Sequence, residues 1–205
     1  MTATNLADVN IIDADGHVID RDANLRKFIA EPYSRRQGSL LPNDVWDASM
    51  YGKLITKSPD LQTRLRDMDT EQIDISVLFP TSGFGVTQLP EKDYAAAFCR
   101  GYNDWIASVC AESPRLKAVG LVPFQDVEAA VKETQRAIGK LGLAGITVGS
   151  FVRHERASRP TDLLAHLRGA TKTQRATAGS QLAPGSGGRN PFRYLLVSSY
   201  HWTAI

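Results

Sequence analysis

The sequence predicts an α/β chain built on a parallel sheet of the (β/α) barrel kind, and three observations carry that prediction. Short apolar runs rich in branched residues alternate with amphipathic helical patterns, the runs are apolar on both faces, and no glycine-rich phosphate loop follows the first of them. Strands apolar on both faces are covered on both, which is what right-handed helical crossovers in a parallel sheet achieve. A doubly wound open sheet shares the alternation, but its nucleotide-binding form opens with a glycine-rich turn, so the barrel is favoured.

The elements follow in order. The first strand is read at Val9 to Ala14, the second at Ile73 to Phe79, the third at Leu116 to Val122 and the fourth at Gly145 to Val148. Leu61, Leu65 and Met68 recur at helical spacing before the second strand, and Tyr94, Phe98, Tyr102, Trp105 and Val109 do so before the third. That aromatic stripe is read as helix core packed on the sheet. Val127, Val131, Thr134, Ile138 and Leu141 form a further stripe, with Asp126 placed to cap its start and Gly142 to end it. Between His17 and Asp60 runs an irregular segment too long for an ordinary βα loop, containing Pro32-Tyr33, Leu41-Pro42, Trp46 and Tyr51. It follows the C-terminal end of the first strand, the face where barrels carry their sites, so a lid and a purely structural excursion are both open readings.

With 205 residues and 42% hydrophobic content, the chain is long enough for one well-buried domain. A net charge of +2 gives no field that would argue for nucleic acid or a membrane surface as partner. Met1 to Asn10 lacks a basic and an apolar leader region, and no apolar run reaches the roughly 18 residues that span a bilayer, so a cytoplasmic protein is expected. Cys99 and Cys110 fall in one predicted helix, about 16 Å apart along its axis, beyond disulfide reach. They are read as reduced core thiols, since no activating group neighbours either.

The chemistry concentrates in Ile11-Ile12-Asp13-Ala14-Asp15-Gly16-His17. A strand alternates its side chains, so Asp15 and His17 point the same way, at the end where a barrel places its catalytic groups. A carboxylate and an imidazole converging there suit a divalent ion, and Gly16 between them would let the backbone crowd a ligand. On spacing alone a surface turn accounts for Asp-X-His nearly as well. Asp13 is read either as a partner near the site or as a strand-end turn former. Thr81 and Ser82, after the second strand, would face the same end, without a base beside them to make either a nucleophile. Arg35 and Arg36 are read as solvated surface charge in preference to contacts for a substrate carboxylate.

Asp13-Ala14-Asp15-Gly16-His17 resembles the first-strand motif of the amidohydrolase-related (amidohydrolase 2) family, the one of the aminocarboxymuconate semialdehyde and resorcylate-type decarboxylases. The resemblance runs on through Arg64-Leu65-Arg66-Asp67-Met68-Asp69, Ile73-Asp74-Ile75-Ser76-Val77-Leu78-Phe79-Pro80-Thr81, Asn103-Asp104-Trp105-Ile106, Arg115 to Pro123 and Leu141 to Ile146. It implies a metal-dependent (β/α) TIM barrel holding one catalytic divalent ion, Zn2+ or Mn2+. It implies a decarboxylase (carboxy-lyase) or hydrolase, with a small aromatic or unsaturated carboxylate as substrate. Of the ligands such a site takes, Asp15 and His17 match; the fifth-strand His and eighth-strand Asp would lie past Phe151. No other catalytic residue is identified.

Four strands are spent by Val148, where a full barrel needs eight and typically about 250 residues. From Arg153 to Ile205 stand eight basic residues against two acidic, where the preceding stretch holds sixteen and twenty. The tail is rich in Arg, Gly and Ser and aperiodic, and His154, His166 and His201 within it have no partner at ligand spacing. The expectation is therefore half a barrel over residues 1–152 and a tail over 153–205, out of frame or disordered, in a truncated chain of impaired activity. The competing reading is a non-catalytic fragment that needs a partner chain to complete the barrel, with a homo-oligomer of two halves as one form of it.

Overall fold

The computed structural model describes residues 10–20, 22–41 and 60–147. Trp46, Tyr51, Val148 and the tail with His154, His166 and His201 lie outside them. In chain order the elements are β1 (Ile12–Val18), α1 (Asp22–Leu25), α2 (Leu61–Thr70), β2 (Ile75–Pro80), α3 (Lys92–Cys110), β3 (Leu116–Leu121), α4 (Val127–Gly139) and β4 (Gly145–Thr147), with 3-10 turns at Tyr33–Arg35 and Ser82–Gln88. The four strands pair in the order β1-β2-β3-β4, every pair parallel.

The expected helices form, and the Asp126 cap on α4 is the one the sequence offered. Asp60 caps α2 by accepting the Thr63 N–H, and Asp126 caps α4 by accepting that of Ala129, each satisfying a donor the first turn leaves free. On α3, Tyr94, Phe98, Tyr102 and Ile106 recur every four residues and are fully buried in the main core. Burial of each such side chain stabilises by about 1.5–3 kcal/mol. Gly142 does not end α4 directly: the helix stops at Gly139, and Gly142 takes φ +71° in the turn beyond it.

Strand boundaries differ from expectation, by a single residue at the ends of β2 and β3 and by more at the start of β2 and both ends of β1. The second strand starts at Ile75, not Ile73, because the C-terminal turn of α2 continues through Gln72, at φ 58°, and uses the Ile73 N–H to reach the Met68 carbonyl. The first strand runs on to Val18, so Asp15 and His17 lie within it. An apolar run marks a strand only where both faces are buried, whereas here one face carries exposed Asp15 and His17 and the other buried Gly16 and Val18.

Polar ties hold the layers in register. Asn103, buried on α3, donates to the Leu121 carbonyl and to Glu133 Oε1 and accepts the Leu121 N–H, joining α3, the end of β3 and α4. Arg136 completes that cluster by pairing with Glu133 and Asp104. Arg115, at the entry to β3, reaches Asp69 and the carbonyls of Ile73 and Asp74. Leu78, Leu116 and Ala118 face the main core under the helices, while Val77, Phe79 and Val119 form a separate cluster on the opposite face of the sheet. Cys99 is buried and Cys110 half-buried, both as free thiols.

Residues 22–41 form a strap on the N-terminal half of α3. Leu25, Ile29, Leu40 and Leu41 are buried, and the Arg26 guanidinium donates to the carbonyls of Ser34, Arg36 and Gly38. Arg35 pairs with Glu31, and Arg36 pairs with Glu91 while lying 4.5 Å over the Tyr94 ring, whose hydroxyl donates to the Leu40 carbonyl. Both arginines thus serve the strap. Among the described residues no helix is long and apolar enough to cross a membrane.

Candidate metal centre

The site is shaped by an irregularity in β1. Asp13 pairs with Ser76 and Gly16 with Leu78, so Ala14 and Asp15 together oppose Val77. Asp13 holds this bulge: its Oδ1 accepts the Asp15 N–H at 3.0 Å and its Oδ2 the Ser76 hydroxyl at 2.9 Å. Of the two readings open for Asp13, it serves as a local former of the backbone that carries Asp15. Gly16 is required, but not to crowd a ligand as the sequence suggested. A β-carbon there would stand 2.5 Å from Ser76 Oγ and 3.0 Å from Asp13 Oδ2, so the space belongs to the bulge.

Beyond the bulge the strand is regular, and Asp15 and His17 share a face, Asp15 Oδ1 standing 3.7 Å from His17 Nε2. The Asp15 side chain is 76% exposed and that of His17 39%. The His17 ring lies beside Phe79, its register partner on β2, at 6.2 Å between centroids. Its Nδ1 is 3.3 Å from Thr81 Oγ1, and its backbone carbonyl accepts from Arg64 of α2. Burial lowers the Arg64 guanidinium from its ordinary value, opposed by the carboxylates of Asp13 and Asp67. Thr81, which the sequence placed at this end, therefore touches the candidate ligand; Ser82 does not.

Ser82 and its neighbours instead meet Asp20, which sequence reasoning did not single out. The buried Asp20 carboxylate accepts the N–H groups of Thr81 at 3.3 Å, Ser82 at 2.8 Å and Gly83 at 2.5 Å, tying the end of β1 to the loop after β2. Gly83 is what lets the carboxylate in, since a β-carbon there would fall 2.7 Å from Asp20 Oδ2. Burial pushes the Asp20 carboxyl from 3.8 up to about 7, and these backbone donors pull it back only part of the way.

Two ligands on one zinc or manganese, each about 2.1 Å from it, stand roughly 3–3.5 Å apart. Asp15 Oδ1 and His17 Nε2 are close to that separation and accessible, so they fit two positions of such a site. Among the described residues no group of three His, Cys, Asp or Glu side chains converges.

The model of the amidohydrolase family matches residues 12–170. Gamma-resorcylate decarboxylase of Rhizobium radiobacter is 33% identical over 114 residues, 55% of this chain and 33% of that one. The 2-amino-3-carboxymuconate-6-semialdehyde decarboxylase of Dictyostelium discoideum is 30% identical over 117 residues, 56% of this chain and 32% of that one. Among solved structures, 5-carboxyvanillate decarboxylase from Novosphingobium aromaticivorans, complexed with manganese and 4-hydroxy-3-methoxy-5-nitrobenzoic acid, superimposes with a TM-score of 0.56 at 23% identity. That match covers 80% of this chain and 47% of that one. The 2,6-dihydroxybenzoate decarboxylase from Rhizobium gives a TM-score of 0.54 at 22% identity, covering 85% and 56%. The aligned segment thus spans about a third of the curated relatives' length and about half of the solved chains. Four parallel strands with helical crossovers, a polar first strand and a family match over most of its length together place this chain in the amidohydrolase family, on the (β/α) barrel plan.

Proposed function

We propose that Asp15 and His17 supply two ligands of a divalent cation in a decarboxylase of small aromatic or unsaturated carboxylic acids. The observation that carries this reading is the approach of Asp15 Oδ1 to His17 Nε2, 3.7 Å, on the open face of the first strand of an amidohydrolase-family sheet. The named relatives support decarboxylation in preference to hydrolysis, and manganese in the 5-carboxyvanillate enzyme supports Mn2+ beside Zn2+. When bound, such a cation supplies Lewis acidity toward a substrate oxygen. The protein's own part is to keep the His17 Nε2 lone pair available, to hold the Asp15 oxygen beside it, and to shield one side with Phe79. A third protein ligand, which catalytic sites of this kind need, falls in this reading to residues other than those described.

Titration of the full chain with Mn2+, followed by loss of the free-ion paramagnetic resonance signal, tests the site. One cation per chain is expected, with binding weakened at least tenfold in Asp15→Asn and His17→Ala. Binding unchanged in both variants would sink the assignment. Release of carbon dioxide from 2,6-dihydroxybenzoate then tests the reaction class. A second reading, a non-catalytic module completed by a partner chain, draws support from exposed Ile11 and Ile12 at the start of β1. It predicts no stoichiometric cation.

A further inference from the structure

A neutral imidazole has one nitrogen that donates and one that accepts, and a cation takes the accepting one. For His17 Nε2 to face a cation beside Asp15, the ring proton must sit on Nδ1, and an acceptor beside Nδ1 favours that tautomer and fixes the ring. The polar side-chain atom against Nδ1 is Thr81 Oγ1, at 3.3 Å. We propose that Thr81 is the positioning residue of His17, its hydroxyl holding Nδ1 so that Nε2 points past Asp15 to the cation. This rests on the reading of His17 as a ligand.

Three features set the arrangement. Thr81 follows β2 directly, one step past the Val18–Pro80 pair, and from there its hydroxyl comes within 3.3 Å of the imidazole. Its backbone is fixed, because the Thr81, Ser82 and Gly83 N–H groups converge on Asp20. Phe79 bounds the ring on one side from β2. Asp20, with its oxygens given to backbone donors, supports this loop and is not itself a ligand.

The chemistry of a hydroxyl suits the place better than that of a carboxylate. With a cation on Nε2, the Nδ1–H donates to Thr81 Oγ1. Without one, the proton is better placed on Nε2, facing the Asp15 carboxylate, and Thr81 turns to donate its O–H to Nδ1. One residue thus serves both tautomers and keeps the ring in place while the proton changes nitrogen. At 3.3 Å the contact is long for a hydrogen bond and has room to shorten when the ring seats.

The test uses the full chain labelled with 15N, in which four histidines contribute ring signals, with His17 assigned by its loss in His17→Ala. Zn2+ serves for spectra and Mn2+ for affinity. In the unmodified chain, added Zn2+ is expected to move the His17 proton from Nε2 to Nδ1. Thr81→Val, which keeps the shape and loses the hydroxyl, is expected to blur the tautomer preference and weaken Mn2+ binding about 10–100-fold. Thr81→Ser is expected to restore both, an outcome that a general packing role for Thr81 would not give. Should the valine variant fail to fold, Thr81→Ala removes the same hydroxyl without bulk. A hydroxyl-less variant with the unmodified tautomer and affinity overturns the proposal alone. Absence of any cation-dependent change at His17 in the unmodified chain overturns the metal reading, and the proposal with it.

Discussion

Among the described residues, Asp20 carries a clear pH signature. A carboxyl raised from 3.8 to about 7 holds its proton longer in the folded than in the unfolded state, so between those values stability falls as pH rises. Its favourable contribution is complete below 3.8 and is gone above about 7; a shift of that size corresponds to a few kcal/mol. Denaturant midpoints measured from pH 4 to 8 should decline through this window and flatten in Asp20→Asn. That variant starts from a lower level, because an amide nitrogen would oppose one of the loop N–H donors. A wild-type profile without the decline, or an unchanged slope in the variant, contradicts this account. Asp20 escaped sequence reasoning because its partners are about sixty residues away, Ser82 by 62, and nothing local marks an aspartate as buried. Alternation put Asp15 and His17 on one face and the resemblance of their motif set them above a surface turn, whereas the contact of Thr81 with His17 needed the pairing of β1 with β2.

At the scale of elements, the bulge in β1 decides where the site points. Gly16→Ala would set a β-carbon 2.5 Å from Ser76 Oγ, and a loss of about 1–3 kcal/mol is expected. Adding Ser76→Ala removes the nearest obstacle and should recover part of that loss, leaving the contacts with Asp13 and the Val77 carbonyl. Equal stability of Gly16→Ala and the unmodified chain would show that the strand adapts without cost. Helices were read well because their signals are local: the Asp60 and Asp126 caps and the four-residue recurrence on α3 each lie within a few turns. Of the caps, only Asp126 was anticipated. Strand ends were read less well. Ile73 is as apolar as Ile75, and only the turn at Gln72 assigns it to the exit of α2. The polar half of β1 fell outside the apolar run because one of its faces is exposed.

For the molecule as a whole, β2 and β3 are flanked by strands on both sides, while β1 and β4 each pair on one edge among the described residues. Hydrogen exchange should therefore be slowest at β2, β3 and the buried face of α3, and faster in β1. Amides of Gly16 to Val18 protected as strongly as Leu78 would mean that a further strand covers β1. The barrel plan was legible from the alternation and the missing phosphate loop, and the family match supports it over residues 12–170. The bond between Asp20 and the Thr81–Gly83 backbone has one more outcome, for evolution and for engineering. Two strand exits that share a single carboxylate cannot change length independently: an insertion between Val18 and Asp20, or between Pro80 and Gly83, would pull the anchor from its socket. Anyone transplanting one of these segments onto another scaffold must carry the other along.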